Sequence, residues 1–189
     1  MRTFITTLLL TLGLIARAQS ADALYDEGKK LYDQKKYEQA VKKLLPAAHK
    51  GHKKAQYRMG RCHAKGHGVE ENDLLARQWY EKSAAQGYAK AQYQLGRCYK
   101  KGKGANKDKV KAFEYFSKAA KQGYAKAQFA LGKCYFEGKG VAQDKAKAKS
   151  LFLKAINDEK DGKEILEDLR KEAADGDEDA IAIKTFLGK

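Results

Sequence analysis

Apolar and small residues recur along the chain at intervals of three and four positions, which is the period of an amphipathic helix. In one segment Ala55, Met59 and Cys62 fall on a single helical face, with polar residues between them. Short polar breaks that contain glycine separate such segments. Valine and isoleucine are sparse and Pro46 is the single proline, so the pattern predicts consecutive helices and gives little from which strands could form.

One stretch of sequence occurs in three copies that start 36 residues apart. The copies read GHKKAQYRMGRCHAKGHG from Gly51, GYAKAQYQLGRCYKKGKG from Gly87 and GYAKAQFALGKCYFEGKG from Gly123. Each copy predicts a first helix that a pair of glycines ends, over Lys53–Lys65, Ala89–Lys101 and Ala125–Glu137. A capping acid or amide then opens a second helix, at Asn72 or Asp73, Asp108 and Asp144. A fixed period of this length indicates a stacked repeat architecture.

The repeated stretch resembles the Sel1-like repeat, a relative of the tetratricopeptide repeat. The resemblance covers about 48–155, with departures at Met59, His63 and Ala105, where the family pattern has Leu, Tyr and Val. It implies an all-α fold, a right-handed α-solenoid of stacked antiparallel helix pairs. It also implies that the first helix of each pair lines the concave side of the superhelix.

The same resemblance divides the chain into units. Sel1-like repeats are predicted at 51–86, 87–122 and 123–158. Residues 19–50 resemble a tetratricopeptide helix pair, because Gly28, Tyr32, Tyr37 and Ala40 occupy its small and aromatic positions. Residues 159–189 are predicted to form degenerate C-terminal capping helices, one of them over Glu164–Ala174.

Residues 1–18 have the order of a secretory signal peptide: Arg2, an apolar run, then small residues at Ala16 and Ala18. An uncleaved membrane anchor is the alternative, although the run is shorter than the roughly 20 apolar residues of a spanning helix. Cleavage after Ala18 predicts an exported protein without a membrane span, periplasmic or secreted, or in the secretory pathway of a eukaryote. Loss of Arg2 and Arg17 would lower the formal charge from +15 to +13. Such a charge suits acidic partners or a solvated lysine-rich surface.

The sequence contains no catalytic or phosphate-binding motif, so we expect a non-enzymatic protein without a cofactor. Hydrolytic activity claimed for some secreted relatives leaves a hydrolase-like or cell-wall-associated activity as the alternative. Cys62, Cys98 and Cys134 are equivalent, but stacked helices lie about 8–10 Å apart and a disulfide needs Cα atoms within about 7 Å. Three buried free thiols are therefore predicted. His63 and His67 could share a metal ion, but two ligands do not make a structural site, so no metal is predicted.

The first helices also carry a polar face with the same residue types in each copy. Spacings of three and seven positions place a lysine, an aromatic residue and a second cation together on that face. The nine candidate partner-binding residues are Lys54, Tyr57, Arg61, Lys90, Tyr93, Arg97, Lys126, Phe129 and Lys133. Lys65 and Lys101 extend the cationic row.

Cations interleaved with rings suit an acidic protein segment, because cations pair with carboxylates and rings supply desolvated contact. Single-stranded nucleic acid would fit the same surface but is not expected for an exported protein. The alternative is a solvated face copied by repeat duplication. The sequence leaves the oligomeric state open.

Overall fold

The computed structural model describes residues 20–188, and the predicted signal peptide lies outside them. Over this range the chain forms ten α-helices and no strand. The helices are α1 (Ala21–Asp33), α2 (Tyr37–His49), α3 (Lys53–His63), α4 (Asp73–Ala85), α5 (Ala89–Lys101), α6 (Lys109–Lys121), α7 (Ala125–Glu137), α8 (Lys145–Ile156), α9 (Gly162–Ala174) and α10 (Glu178–Leu187).

Each helix packs chiefly against the helices before and after it in the chain, as expected for a stack of repeats. The fold is a right-handed α-solenoid of antiparallel helix pairs, which confirms the prediction. The predicted first helices agree with α5 and α7 at both ends, whereas α3 ends at His63, two residues earlier than predicted. The side chains of Asn72, Asp108 and Asp144 cap α4, α6 and α8, each accepting a hydrogen bond of 2.9 Å from a backbone N–H three residues later.

A glycine facing an aromatic ring holds the two helices of each repeat close together. A methyl group added at Gly60 would lie 2.5 Å from Tyr80, and one at Gly132 would lie 2.7 Å from Phe152. A methyl group added at Gly96 would overlap the ring of Phe116 in the same way. The core thus alternates small and large residues across the pair, which gives the close packing typical of protein interiors.

The second glycine of each closing pair joins one repeat to the repeat before it. Gly104 has φ of +68°, a conformation that residues with a Cβ rarely adopt. It also abuts the backbone at Asp73, where α4 of the preceding repeat begins, and leaves no space for a side chain. Arg77 Nε then donates a 2.7 Å hydrogen bond to the Gly104 carbonyl. Glycine is therefore required here for both conformation and contact.

Buried glutamines link each repeat to the unit before it. Gln92 Nε2 donates a 3.4 Å hydrogen bond to the Ala84 carbonyl of the preceding repeat. Its Oε1 accepts a 2.7 Å bond from Gln122, which follows the second helix of the same repeat. Gln56 makes the corresponding pair of bonds one repeat earlier. Gln56 and Gln92 are buried, so these bonds satisfy polar groups that would otherwise be costly in the core.

His67 connects the first helix pair to the first repeat. Its Nδ1 lies 2.9 Å from the hydroxyl of Tyr32, and its ring stacks on Tyr37 with centroids 4.1 Å apart. Since α3 ends at His63, His67 lies beyond the helix, and the two histidines do not share a helical face. Within residues 20–188 no group of three or more His, Cys, Asp or Glu is placed to hold a metal ion.

The three cysteines are buried and free, as predicted. Burial raises the pKa of the Cys62, Cys98 and Cys134 thiols to about 11. At neutral pH these groups are protonated and act as small apolar residues of the core.

Candidate interaction groove

A groove of about 630 Å³ lies between the first helices of the three repeats and helix α9. The candidate residues that line it are Tyr57, Arg61, Lys90, Tyr93, Arg97, Lys126, Phe129 and Lys133. Lys65 and Lys101 also line it. Lys54 is exposed and is not among the lining residues.

The aromatic row of the groove (Tyr57, Tyr93 and Phe129) also belongs to the packing of the stack. Each ring lies partly buried against the ring of its own second helix: Tyr93 is 5.8 Å from Phe116, and Phe129 is 5.0 Å from Phe152. Tyr93 also packs edge to face on Tyr124, which precedes the next repeat's first helix, at 5.4 Å. Burial raises the pKa of the Tyr93 hydroxyl above its usual value. The rings are therefore fixed in position, and only part of each is open to a partner.

The cationic row (Arg61, Arg97 and Lys133) is not neutralised. No carboxylate of residues 20–188 forms an ion pair with any of the three. Arg97 is exposed, with its guanidinium 5.9 Å from the ring centre of Tyr93. Positive charge is concentrated around Lys101. The charge of the nearby Arg97 is the main cause, and burial the second, of the lowered pKa of Lys101.

A second recess of about 210 Å³ opens where α3 and α5 end. Arg61, Lys65, Arg97 and Lys101 line it, together with Lys103. Among residues 20–188, Lys103 is the one of these cations with an acidic partner, Asp73 at 3.5 Å. The groove therefore ends in a concave, strongly cationic region.

The opposite wall of the groove is acidic, which the sequence analysis missed. Asp161, Glu164, Asp168 and Glu172 line it from α9 and the residue before that helix. Their spacing of three to four positions puts them on one face, next to the face that buries Ile165 and Leu169. Within residues 20–188 one ion pair joins the two walls, with Lys126 Nζ 2.6 Å from Glu164 Oε1. The acidic spacing is visible in the sequence, but only the fold turns it toward the repeats.

A sequence model of the Sel1 repeat matches residues 53–88, 89–124 and 125–158. The chain belongs to the Sel1 repeat family. A search of curated proteins found no match to the chain. Sel1 repeat proteins generally mediate protein–protein interactions, and the family is typically one of non-enzymatic scaffolds.

Solved structures of Sel1 repeat proteins resemble this chain. A Sel1 repeat protein from Oxalobacter formigenes is 40% identical with a TM-score of 0.66, and the match covers 69% of this chain and 54% of that protein's chain. A protective antigen with the SLR fold from uropathogenic Escherichia coli is 33% identical with a TM-score of 0.71, covering 78% of this chain and 32% of its own. This chain thus spans about half and a third of their lengths.

Cysteine-rich protein B of Helicobacter pylori shares the fold at 24% identity and a TM-score of 0.52, covering 65% of this chain and 93% of its own. None of the helices over residues 20–188 is long and apolar enough to cross a membrane.

Proposed function

We propose that this Sel1 repeat protein is an exported scaffold whose groove holds an acidic segment of a partner protein. The observation that supports the proposal is the cationic row, which is repeated in three neighbouring helices and has no acidic partner within residues 20–188. Unpaired cations in a concave surface attract carboxylates both at a distance and on contact.

The two arginines suit this role better than lysines would. A guanidinium presents donors in a fork that matches both oxygens of a carboxylate. Arg61 is partly buried, and its guanidinium lies 5.6 Å from the ring centre of Tyr32, which limits its motion before binding. A side chain held in place loses less entropy when it binds.

The test is a charge reversal of the cationic row with a matched control. The variant combines Arg61→Glu, Arg97→Glu and Lys133→Glu, and the control combines Lys82→Glu, Lys118→Glu and Lys154→Glu on the second helices. The control lysines are also 36 residues apart and exposed, and none of them lines the groove.

The probe is a fluorescent peptide of alternating glutamate and glycine, titrated by anisotropy at about 0.15 M salt, where the Debye length is about 8 Å. We expect the groove variant to lose at least tenfold in affinity and the control to lose about twofold. Equal losses would mean that total charge, and not the groove, determines binding.

Export requires a separate test, because residues 1–18 lie outside the described structure. We expect the protein expressed with these residues to lose them on export, so that N-terminal sequencing of the mature form begins at Gln19 or within a few residues of it. Recovery of the full-length chain in the cytoplasmic fraction would contradict export.

A further inference from the structure

We propose that the groove selects an extended peptide whose residues alternate between acidic and basic, with the acids toward α3, α5 and α7 and the bases toward α9. This proposal rests on the proposed function and specifies its partner: the acidic residues that meet the cationic row alternate with basic residues that meet α9. It follows from the opposite charges of the two walls and from the spacing of charges along them.

The walls carry opposite charge over most of the groove. Asp168 and Glu172 are exposed and form no ion pair with any described residue, and the same holds for Arg97 and Lys101 across the groove. The two walls interact electrostatically. The negative charge of Glu172 opposes the lowering of the Lys101 pKa, and the charges of Asp168 and Glu172 add to the rise of the Tyr93 pKa. A uniformly acidic segment would satisfy one wall and be repelled by the other.

The two charged walls favour an extended occupant with alternating charges. In an extended segment, successive side chains point to opposite sides. In a helix each residue turns by about 100°, so an alternating sequence would distribute both charges over all faces. An extended segment can therefore direct one kind of charge to each wall at every step.

The charges on the walls match the repeat of an extended chain. Glu164, Asp168 and Glu172 are four residues apart, which corresponds to about 6 Å along the helix. Arg97 and Lys101 have the same spacing on α5. Alternate side chains of an extended segment are about 6.6–6.8 Å apart. A segment lying between these two rows would therefore meet carboxylates on one side and cations on the other at a similar repeat.

The experiment compares two labelled octapeptides of identical composition, one with Glu and Lys alternating and one with four Glu followed by four Lys. Both have no net side-chain charge, so the protein's overall charge does not favour either. We expect the alternating peptide to bind about fivefold tighter, because it places charges against both walls and exposed ion pairs are individually weak. The glutamate–glycine peptide serves as the acidic reference.

Reversal of the acidic wall gives the decisive comparison. In the variant Asp168→Lys with Glu172→Lys, we expect the alternating peptide to lose its advantage and the acidic peptide to bind several-fold tighter. The control variant, Glu159→Lys with Glu167→Lys, changes the net charge equally at exposed positions that do not line the groove, and should keep the preference. Circular dichroism and thermal melts establish that both variants are folded.

The results distinguish a failure of this inference from a failure of the proposed function. Equal binding of the two octapeptides by the wild-type protein would overturn this inference, as would a preference that survives reversal at Asp168 and Glu172. If the acidic reference still depends on the cationic row, the proposed function stands without the inference. If the acidic reference binds equally after reversal of the cationic row, both are overturned.

Discussion

The contact between Gly96 and Phe116 offers a sharp test of how the repeats are held together. Gly96 lies inside α5, where an alanine would ordinarily stabilise the helix by about 1 kcal/mol. Here a methyl group would overlap two ring carbons of Phe116, a side chain that is only 1% exposed. The ring cannot move without displacing the core around it, and overpacking of this kind costs about 1–3 kcal/mol.

We therefore expect Gly96→Ala to lower the free energy of unfolding by about 1 kcal/mol, the overpacking term outweighing the gain in helix propensity. The same substitution in a Phe116→Leu background should be neutral or stabilising, since the smaller side chain leaves room. The coupling between the two positions should be about 1–3 kcal/mol, well above the error of additive pairs. Urea titrations followed by circular dichroism at 222 nm measure all four proteins of the cycle.

Two results would refute this reasoning. The first is a Gly96→Ala protein about 1 kcal/mol more stable than wild type, as in an open helix. The second is additivity within about 0.5 kcal/mol, which would show that the methyl group and the ring do not compete for the same space. Gly132→Ala provides a graded comparison, because its methyl group would lie 2.7 Å from Phe152 and should cost less.

Three further predictions concern stability and reactivity. Asp108→Ala should cost about 1 kcal/mol in a thermal or urea melt, because it removes the cap of α6, whereas Asp108→Asn should cost little. Burial and the nearby charges of two cations lower the pKa of His67. The contribution of this histidine to the free energy of unfolding is therefore fully present above the unfolded pKa of about 6.5 and is lost as the pH falls through the folded pKa. The melting temperature should accordingly fall between pH 7.5 and 5.5, less so in His67→Gln; an unchanged slope would exclude this histidine as the source. Iodoacetamide at pH 8 should leave Cys62, Cys98 and Cys134 unmodified in the native protein and label all three after unfolding; rapid native labelling would contradict their burial.

Much of the fold could be predicted from the sequence because its determinants are local and repeated. The alternation of Gly96 with Phe116, and the capping residue Asp108, each lie within one 36-residue period. Such features follow from helix geometry and backbone hydrogen bonding alone. The end of α3 was predicted less well: Ala64 and Lys65 are good helix formers, yet the helix ends at His63 and the Lys65 N–H bonds to the carbonyl three residues earlier.

The candidate groove was predictable on one side only. Spacing along one helix shows that Arg97 and Tyr93 share a face, but it does not show how much of Tyr93 packs on Phe116 and Tyr124. The acidic wall depends on the path of the whole superhelix, which brings Glu164 within 2.6 Å of Lys126, 38 residues earlier in the chain. A contact that occurs once in the molecule leaves no repeated signal in the sequence.

The position of α9 has a consequence for how proteins built this way could change over evolution. Each repeat contacts chiefly its neighbours, so the gain or loss of one 36-residue unit by duplication or deletion would preserve the core at every junction. It would nevertheless change the number of cationic helices that line the groove opposite the acidic helix. Copy number alone would then alter which partner the protein accepts, without any substitution in the residues that make contact.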